Sequence, residues 1–137
     1  MVDNSWAFEL GNTIFYVVKS RAEPILQKKF PDVYITDEGE TNQKPIFPTV
    51  YIHELSGLEQ GQTLDGQTVN AVLETIQVDI SSNTSGSEVR LVTATVANVF
   101  KELRFDAVGM PTYGKSDGIY TSTMRFRRLY GANDTIL

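Results

Sequence analysis

The amino-acid sequence predicts an α+β domain with two layers, in which two helices cover one face of a mixed, mainly antiparallel sheet of about five strands. Three observations lead to this prediction. The chain has 137 residues, which fits one domain over residues 1–137. Two segments carry apolar residues at helical spacing, whereas other, shorter segments are rich in β-branched and aromatic residues. Two helices and about five strands bury their apolar faces most economically when the helices form one layer on one face of a single sheet.

The first predicted element is a helix from about Ser5 to Lys29. Asn4 or Ser5 fits its N-cap, since either side chain can accept a hydrogen bond from a free N–H of the first turn. Pro24 lacks the N–H and crowds the preceding turn, so we expect a kink or a break near Arg21–Glu23. The apolar face of this helix comprises Trp6, Leu10, Ile14, Val17, Val18, Ile25 and Leu26.

Two strands and a long loop are predicted next. Val33–Thr36 and Thr49–Leu55 are rich in β-branched and aromatic residues, and the polar segment Asp37–Lys44 lies between them. Ser56–Thr68 is rich in glycine and polar residues, and it exceeds the usual hairpin loop of about two to five residues. A loop of this length is either disordered or used for contact.

The segment Val69–Ser82 is predicted to be the longest strand so far. Its apolar residues change phase, because Val69, Ala71 and Leu73 lie at odd positions whereas Ile76, Val78 and Ile80 lie at even ones. A slip of one residue near Glu74-Thr75 would place both sets on one face. We therefore expect a bulge or a change of buried face there.

The second helix has the clearest pattern in the chain. Ser85 and Glu88 form a capping box, in which the serine hydroxyl accepts a hydrogen bond from the N–H three residues on. The apolar stripe that follows has steps of three and four residues. It comprises Val89, Val92, Val96, Val99, Phe100 and Leu103.

The remaining sequence predicts two strands and a tail. A short strand covers about Ala107–Met110, and Pro111–Gly118 is expected to form a turn. The last strand, Ile119–Leu129, has apolar residues at even positions and arginines at odd ones. A flexible tail is expected from about residue 131.

Composition excludes several classes of chemistry. The chain has no Cys, which rules out thiol nucleophiles, Cys-based zinc sites and iron–sulfur clusters. Its 17 acidic and 12 basic residues give a net charge of −5, which argues against a general nucleic-acid binder. We expect neither a membrane span nor a secretory signal, since no suitable apolar run is present.

No catalytic, metal or cofactor site is predicted. His53 is the only imidazole, and a lone His within a strand is more often structural. Asp37 and Glu38 fit a solvated acidic cluster, because they lack the alternating spacing of a calcium loop. Gly114-Lys115-Ser116 has the ending of a phosphate-binding loop, but no helix is predicted after it.

Two groups of residues are predicted to make contacts with other molecules. The first is the densest basic stretch of the chain, for which we favour an acidic protein partner or an intersubunit contact over DNA. It comprises Arg125, Arg127 and Arg128. The second lies in the long loop and comprises Ser56, Gly57, Leu58, Glu59, Gln60, Gly61, Gln62 and Asp65.

The order of motifs along the chain identifies a family that it resembles. In order, the motifs are a helix ending at Phe30-Pro31, Phe47-Pro48-x-Val50-Tyr51-Ile52, the strand Glu74–Ile80, the helix Glu88–Leu103, Arg104-Phe105, a turn at Pro111 and Arg125-x-Arg127-Arg128-x-Tyr130-Gly131. Over nearly the whole chain, this order resembles that of the tail terminator proteins of long-tailed bacteriophages, which are also called tail-completion or minor tail proteins. The resemblance rests on element order, length and scattered residues.

The resemblance implies a structural role in the virion rather than an enzymatic one. Proteins of this family form a hexameric ring that caps the head-proximal end of the tail tube, stops its polymerisation and joins the head connector. The implied partners are further copies of the chain, the tail-tube protein and the connector or stopper protein, with DNA only in transit. The implied location is the neck of the virion, and the host cytoplasm during assembly. No membrane, metal or cofactor is implied.

Two alternatives remain open. The chain is either a tail terminator or another structural protein of the head–tail joint or tail tube. Less favoured is a small hydrolase or ligand-binding domain that uses His53 with Asp37 or Glu54. Replacement of His53 by Ala would abolish function only in that last case. An acidic lumen would suit a ring protein, because like charge suppresses the phosphate contacts that hold DNA.

Overall fold

The computed structural model describes residues 3–39, 46–55, 58–60 and 68–134. Their architecture confirms the predicted α+β fold, with two helices and a mixed, mainly antiparallel sheet. The elements in chain order are α1 (Ser5–Gln27), β1 (Tyr34–Thr36), β2 (Thr49–Glu54), β3 (Leu58–Gln60), β4 (Ala71–Ser82), α2 (Gly86–Glu102), β5 (Asp106–Ala107), β6 (Thr112–Ser116) and β7 (Ile119–Gly131).

Two long antiparallel strands form the centre of the sheet. β4 and β7 pair from Ala71–Gly131 at one end to Ser82–Tyr120 at the other. The edge of β4 that faces away from β7 pairs with β2 along one half and with β3 along the other. The edge of β7 that faces away from β4 likewise pairs with β5 along one part and with β6 along another. β1 adds to β2 in parallel, so the described sheet has β1 at one side and β5 with β6 at the other.

The helices cover the face of the sheet to which the even-numbered residues of β2, β4 and β7 point. The core between the layers is apolar and includes four large aromatic side chains. The ring of Phe126 in β7 stacks on the ring of Phe100 in α2, with centroids 4.4 Å apart. Phe105 meets Phe100 edge-on at 5.1 Å and Tyr130 at 5.9 Å. We call Phe100, Phe105, Phe126 and Tyr130 the aromatic cluster.

Helix α1 is continuous through Pro24, so of the predicted kink or break near Arg21–Glu23 the break is wrong. Pro24 lies in the last turn of α1, where it removes one backbone hydrogen bond, the one that an N–H at this position would donate to the Ser20 carbonyl. Both Pro24 and Ser20, whose carbonyl loses its partner, are exposed, so water can bind that carbonyl. The predicted apolar face is correct for Leu10, Ile14, Val18 and Leu26, which are buried, but Ile25 is exposed.

Strand β4 has no slip, so the predicted bulge near Glu74-Thr75 is wrong. Its burial alternates without interruption from Ala71 to Ser82, with the even positions buried. The register with β7 is also continuous. The phase change in the sequence arises because a carboxylate residue, Glu74, occupies an inward position that an apolar residue would normally fill.

Helix α2 begins as predicted. Ser85 is the N-cap, and its hydroxyl accepts a hydrogen bond of 3.1 Å from the Glu88 N–H. The Glu88 carboxylate binds the Ser82 hydroxyl rather than turning back to the cap. All six residues of the predicted apolar stripe are buried.

The cap hydrogen bond predicts the effect of Ser85→Ala on stability. Loss of the hydroxyl leaves the Glu88 N–H without its acceptor, so the free energy of unfolding should fall by about 1 kcal/mol. Urea unfolding followed by circular dichroism would measure this change. Ser87→Ala, at an exposed position in the first turn of α2, is the matched control and should change stability by less than about 0.5 kcal/mol. Equal effects of the two substitutions would contradict the capping role.

Two short strands lie where loops were predicted. Leu58–Gln60, within the predicted loop Ser56–Thr68, pairs with β4, and Thr112–Ser116, within the predicted turn Pro111–Gly118, pairs with β7. The second case had a local signal, because Asp117-Gly118 is a favoured two-residue hairpin turn. Both residues have positive φ, 51° and 77°, as such a turn requires. Gly131, at which the predicted tail begins, still belongs to β7.

Candidate interaction surfaces

The predicted contact loop is only partly within the described residues. Leu58, Glu59 and Gln60 form β3 and pair with the start of β4. The other five residues predicted there lie outside the described part of the chain. They are Ser56, Gly57, Gly61, Gln62 and Asp65.

The three predicted arginines do not form one patch. Arg125 and Arg127 are exposed on the face of the sheet that carries no helix, which we call the outer face. Arg128 points to the helical side, where its Nη1 donates hydrogen bonds to the Leu103 carbonyl at 2.7 Å and to the Tyr130 hydroxyl at 3.2 Å. A cation near the C-terminus of a helix stabilises it, so Arg128 has a structural role in the monomer.

The outer face carries a network of polar side chains centred on Asp79 of β4. Its carboxylate accepts hydrogen bonds from the Thr123 hydroxyl at 2.7 Å and from Gln77 Nε2 at 3.1 Å. His53 Nε2 lies 2.9 Å from Asp79 Oδ2, and the imidazole stacks on the Tyr51 ring with centroids 4.2 Å apart. The network therefore ties β2, β4 and β7 together across the uncovered side of the sheet.

The same contacts fix the charge state of Asp79. Partial burial alone would raise the pKa of its carboxyl group, but the hydrogen bonds from Thr123, Gln77 and His53 outweigh burial and lower the pKa below its ordinary value of 3.8. Asp79 is therefore ionised at neutral pH. His53 pairs with Asp79, and not with the Asp37 or Glu54 of the hydrolase hypothesis. Sequence reasoning missed Asp79 because its partners come from three strands whose register was unknown.

A second site combines two carboxyl groups on the inner side of the sheet. Glu74 is 1 % exposed and bonds to the side chain of Glu54, which lies over Gly11 of α1. Burial, with the hydrogen bond and the charge of Glu54, raises the pKa of Glu74 to about 9. Glu74 is thus protonated at neutral pH and can donate to the Glu54 carboxylate. Since Oε2 of Glu54 lies 2.3 Å from where a Gly11 Cβ would be, only glycine fits there without movement of Glu54.

A cleft of about 260 Å³ opens between the start of α2 and the β6–β7 hairpin. Tyr113 and Tyr120 line it together with Val89. The Arg90 guanidinium lies 4.7 Å from the Tyr113 ring centroid, and the Lys115 ammonium lies 4.9 Å from that of Tyr120. These distances are within the range of cation–π attraction, so each cation is held by an aromatic face.

The strand beside this cleft is an open edge of the sheet. All five residues of β6 are exposed, and among the described residues β6 pairs with β7 alone. An unpaired strand edge presents N–H and C=O groups that can bind a further strand. Met110, just before β6, is 84 % exposed and adds an apolar side chain to this edge.

The opposite side of the sheet has the reverse charge. Within the described part of the chain, β1 pairs only with β2. Asp37 and Glu38 follow β1 directly and are exposed. The two edges of one sheet therefore differ in charge, with Arg90 and Lys115 at one and Asp37 and Glu38 at the other.

In the described ranges, no group of three or more His, Asp or Glu side chains is arranged to hold a metal ion. None of the described helices has the length and apolar character needed to span a membrane. A scan against protein-family models found no match for this sequence, and a search of curated proteins found no relative.

Proposed function

We propose that this protein is a tail terminator of a long-tailed phage. In this role it assembles as a hexameric ring on the head-proximal end of the tail tube, stops tube polymerisation and provides the surface that binds the head connector. The order of sequence motifs supports the proposal, and the α+β fold is of the kind that the family resemblance implies. The partners are the chain itself, the tail-tube protein and the connector protein.

The observation that carries the proposal is the form of the sheet. Helices cover only one face, and each outer strand of the described sheet pairs with a single neighbour: β1 and β3 on one side, β5 and β6 on the other. Soluble monomers usually shorten, bend or cover such edges, because open edges promote association. A subunit with two different open edges is suited to a ring, since each edge can bind the other edge of the next copy.

In the proposed ring, the outer face of each copy supplies the surface that contacts a tube or connector subunit. The side chains of its Asp79 network are polar and tied together, so they present a preformed pattern of hydrogen-bonding groups. Arg125 and Arg127 add positive charge to this face of an acidic chain. An acidic surface on a tube or connector subunit would complement these two arginines.

The mass of the purified protein tests the proposal, alone and with the tail tubes of its phage. Native mass spectrometry should give about six subunits, or a monomer that assembles only on tubes. Electron microscopy should then show the protein at one end of each tube. A stable monomer that does not bind tubes would overturn the proposal. Filaments formed by the protein alone would identify a tail-tube protein instead, because only tube subunits polymerise without limit.

A further inference from the structure

We propose that successive copies bind head to tail through opposite charges, with the acidic end of β1 in one copy against the basic cleft beside β6 in the next. This inference rests on the proposed ring and names the two surfaces that form its repeated contact. We call Asp37 and Glu38 the acidic edge, and Arg90 and Lys115 the basic edge.

The basic edge is available for a partner. The only ion pairs among the described residues are Arg21–Glu102 and His53–Asp79, so neither Arg90 nor Lys115 has a carboxylate within ion-pair distance there. Each cation lies instead over a tyrosine ring at the mouth of the cleft. An aromatic face orients a cation without neutralising it, so the charge remains available to a carboxylate.

The acidic edge has the complementary chemistry. Asp37 and Glu38 are exposed where the chain leaves β1, and the Glu38 N–H donates to the Thr36 hydroxyl at 3.0 Å, which fixes the backbone there. A β1 strand placed beside β6 of another copy would extend the sheet, and main-chain hydrogen bonds would align the acidic residues with the cleft. Pairing of unlike edges is heterologous, so it closes into a ring only when the rotation between copies permits.

Charge also identifies the occupant as a second copy. Chains with a net charge of −5 repel one another, so self-association requires a local attraction that opposes this repulsion. The acidic edge and the basic edge provide that attraction. They lie on opposite sides of one sheet, so every copy brings one of each. Asp117, in the turn beyond Lys115, slightly weakens the basic edge, so the test reverses both cations.

Paired charge reversal tests this contact. The basic-edge variant is Arg90→Glu with Lys115→Glu, and the acidic-edge variant is Asp37→Lys with Glu38→Lys. Each variant alone brings like charges together, so its self-association should weaken about tenfold or more in analytical ultracentrifugation. A mixture of the two variants places opposite charges at every contact, and its assembly should return. Association of the unaltered protein should weaken as salt is added.

The control is Lys19→Glu with Lys101→Glu, which makes the same change in net charge as the basic-edge variant at two helix residues that belong to neither edge. Circular dichroism should show folded protein in every case. If the variants assemble as the unaltered protein does, or if mixing restores nothing, the contact proposed here is wrong while the ring remains. If the unaltered protein is monomeric both alone and with tail tubes, the ring and this contact both fail. The acidic-edge variant keeps its basic edge intact. If this variant binds an unrelated acidic peptide as tightly as the unaltered protein binds itself, the contact is not specific for a second copy and the inference is contradicted.

Discussion

Replacement of Phe126 by Ala should destabilise the protein by about 3–5 kcal/mol, the largest effect that we expect from a single substitution. Phe126 is 1 % exposed and lies in the middle of the central strand β7. Its ring stacks on Phe100 of α2, with an angle of only 3° between the planes. Truncation therefore removes this ring contact between the second helix and the sheet and leaves a cavity that the rigid core cannot close.

Urea unfolding of purified Phe126→Ala, followed by circular dichroism, measures this loss. The matched control is Phe8→Ala, which makes the same chemical change at a side chain that is 83 % exposed. Its free energy of unfolding should change by less than about 0.5 kcal/mol. A loss below about 1 kcal/mol for Phe126→Ala would show that the aromatic cluster does not join the two layers as described.

Replacement of Glu74 by Gln should stabilise the protein at neutral and alkaline pH. The pKa of Glu74 is raised from its ordinary value of 4.5 to about 9 in the folded state. Below pH 4.5 the folded and unfolded states both hold the proton, so the full contribution of the protonated group to stability is present. As pH rises towards 9, the unfolded state releases the proton while the folded state keeps it, so the stability of the unaltered protein falls with rising pH.

Glutamine has the shape of the protonated carboxyl group and can donate the same hydrogen bond to Glu54, but it does not titrate. The difference in unfolding free energy between Glu74→Gln and the unaltered protein should be small at pH 5. It should grow to about 1–3 kcal/mol at pH 8. Urea unfolding at both pH values measures it, with the exposed Glu9→Gln as control. A difference that is equal at the two pH values would mean that Glu74 is ionised in the folded protein.

Much of the fold could be predicted because local signals agreed with the final packing. The capping box at Ser85 and the valines after it specify α2 without help from the rest of the chain. The positions of the long strands and the fold class followed from periodicity and composition. The order of the strands in the sheet could not be predicted, because it depends on pairings between distant segments.

The errors have identifiable physical causes. Pro24 was expected to break α1, but a proline in an exposed last turn removes only one hydrogen bond. A bulge was expected near Glu74 because the apolar residues change phase there, but burial and the neighbouring Glu54 keep Glu74 protonated, so it can occupy an inward position. Strand β3 is defined by its pairing with β4 rather than by its own composition.

The candidate sites were less predictable than the fold. Arg125 and Arg127 were placed correctly on a strand, but the inward direction of Arg128 follows from its even position in β7. Asp79 and Arg90 were not selected, since neither belongs to a local motif. Their roles depend on Thr123, His53 and Tyr113, which are distant in sequence.

The central position of the last strand has a consequence for the synthesis of the protein. β7 comes last among the described strands, yet it supplies one half of the long pairing at the middle of the sheet, and α2, β5 and β6 separate it from β4. Until residue 131 has left the ribosome, β4 lacks this partner and the apolar stripe of α2 has only part of its sheet to cover. Contacts between such distant segments also close slowly, so folding on a millisecond-to-second scale is expected. Chaperones that shield strand edges would therefore act mainly before β7 has emerged from the ribosome.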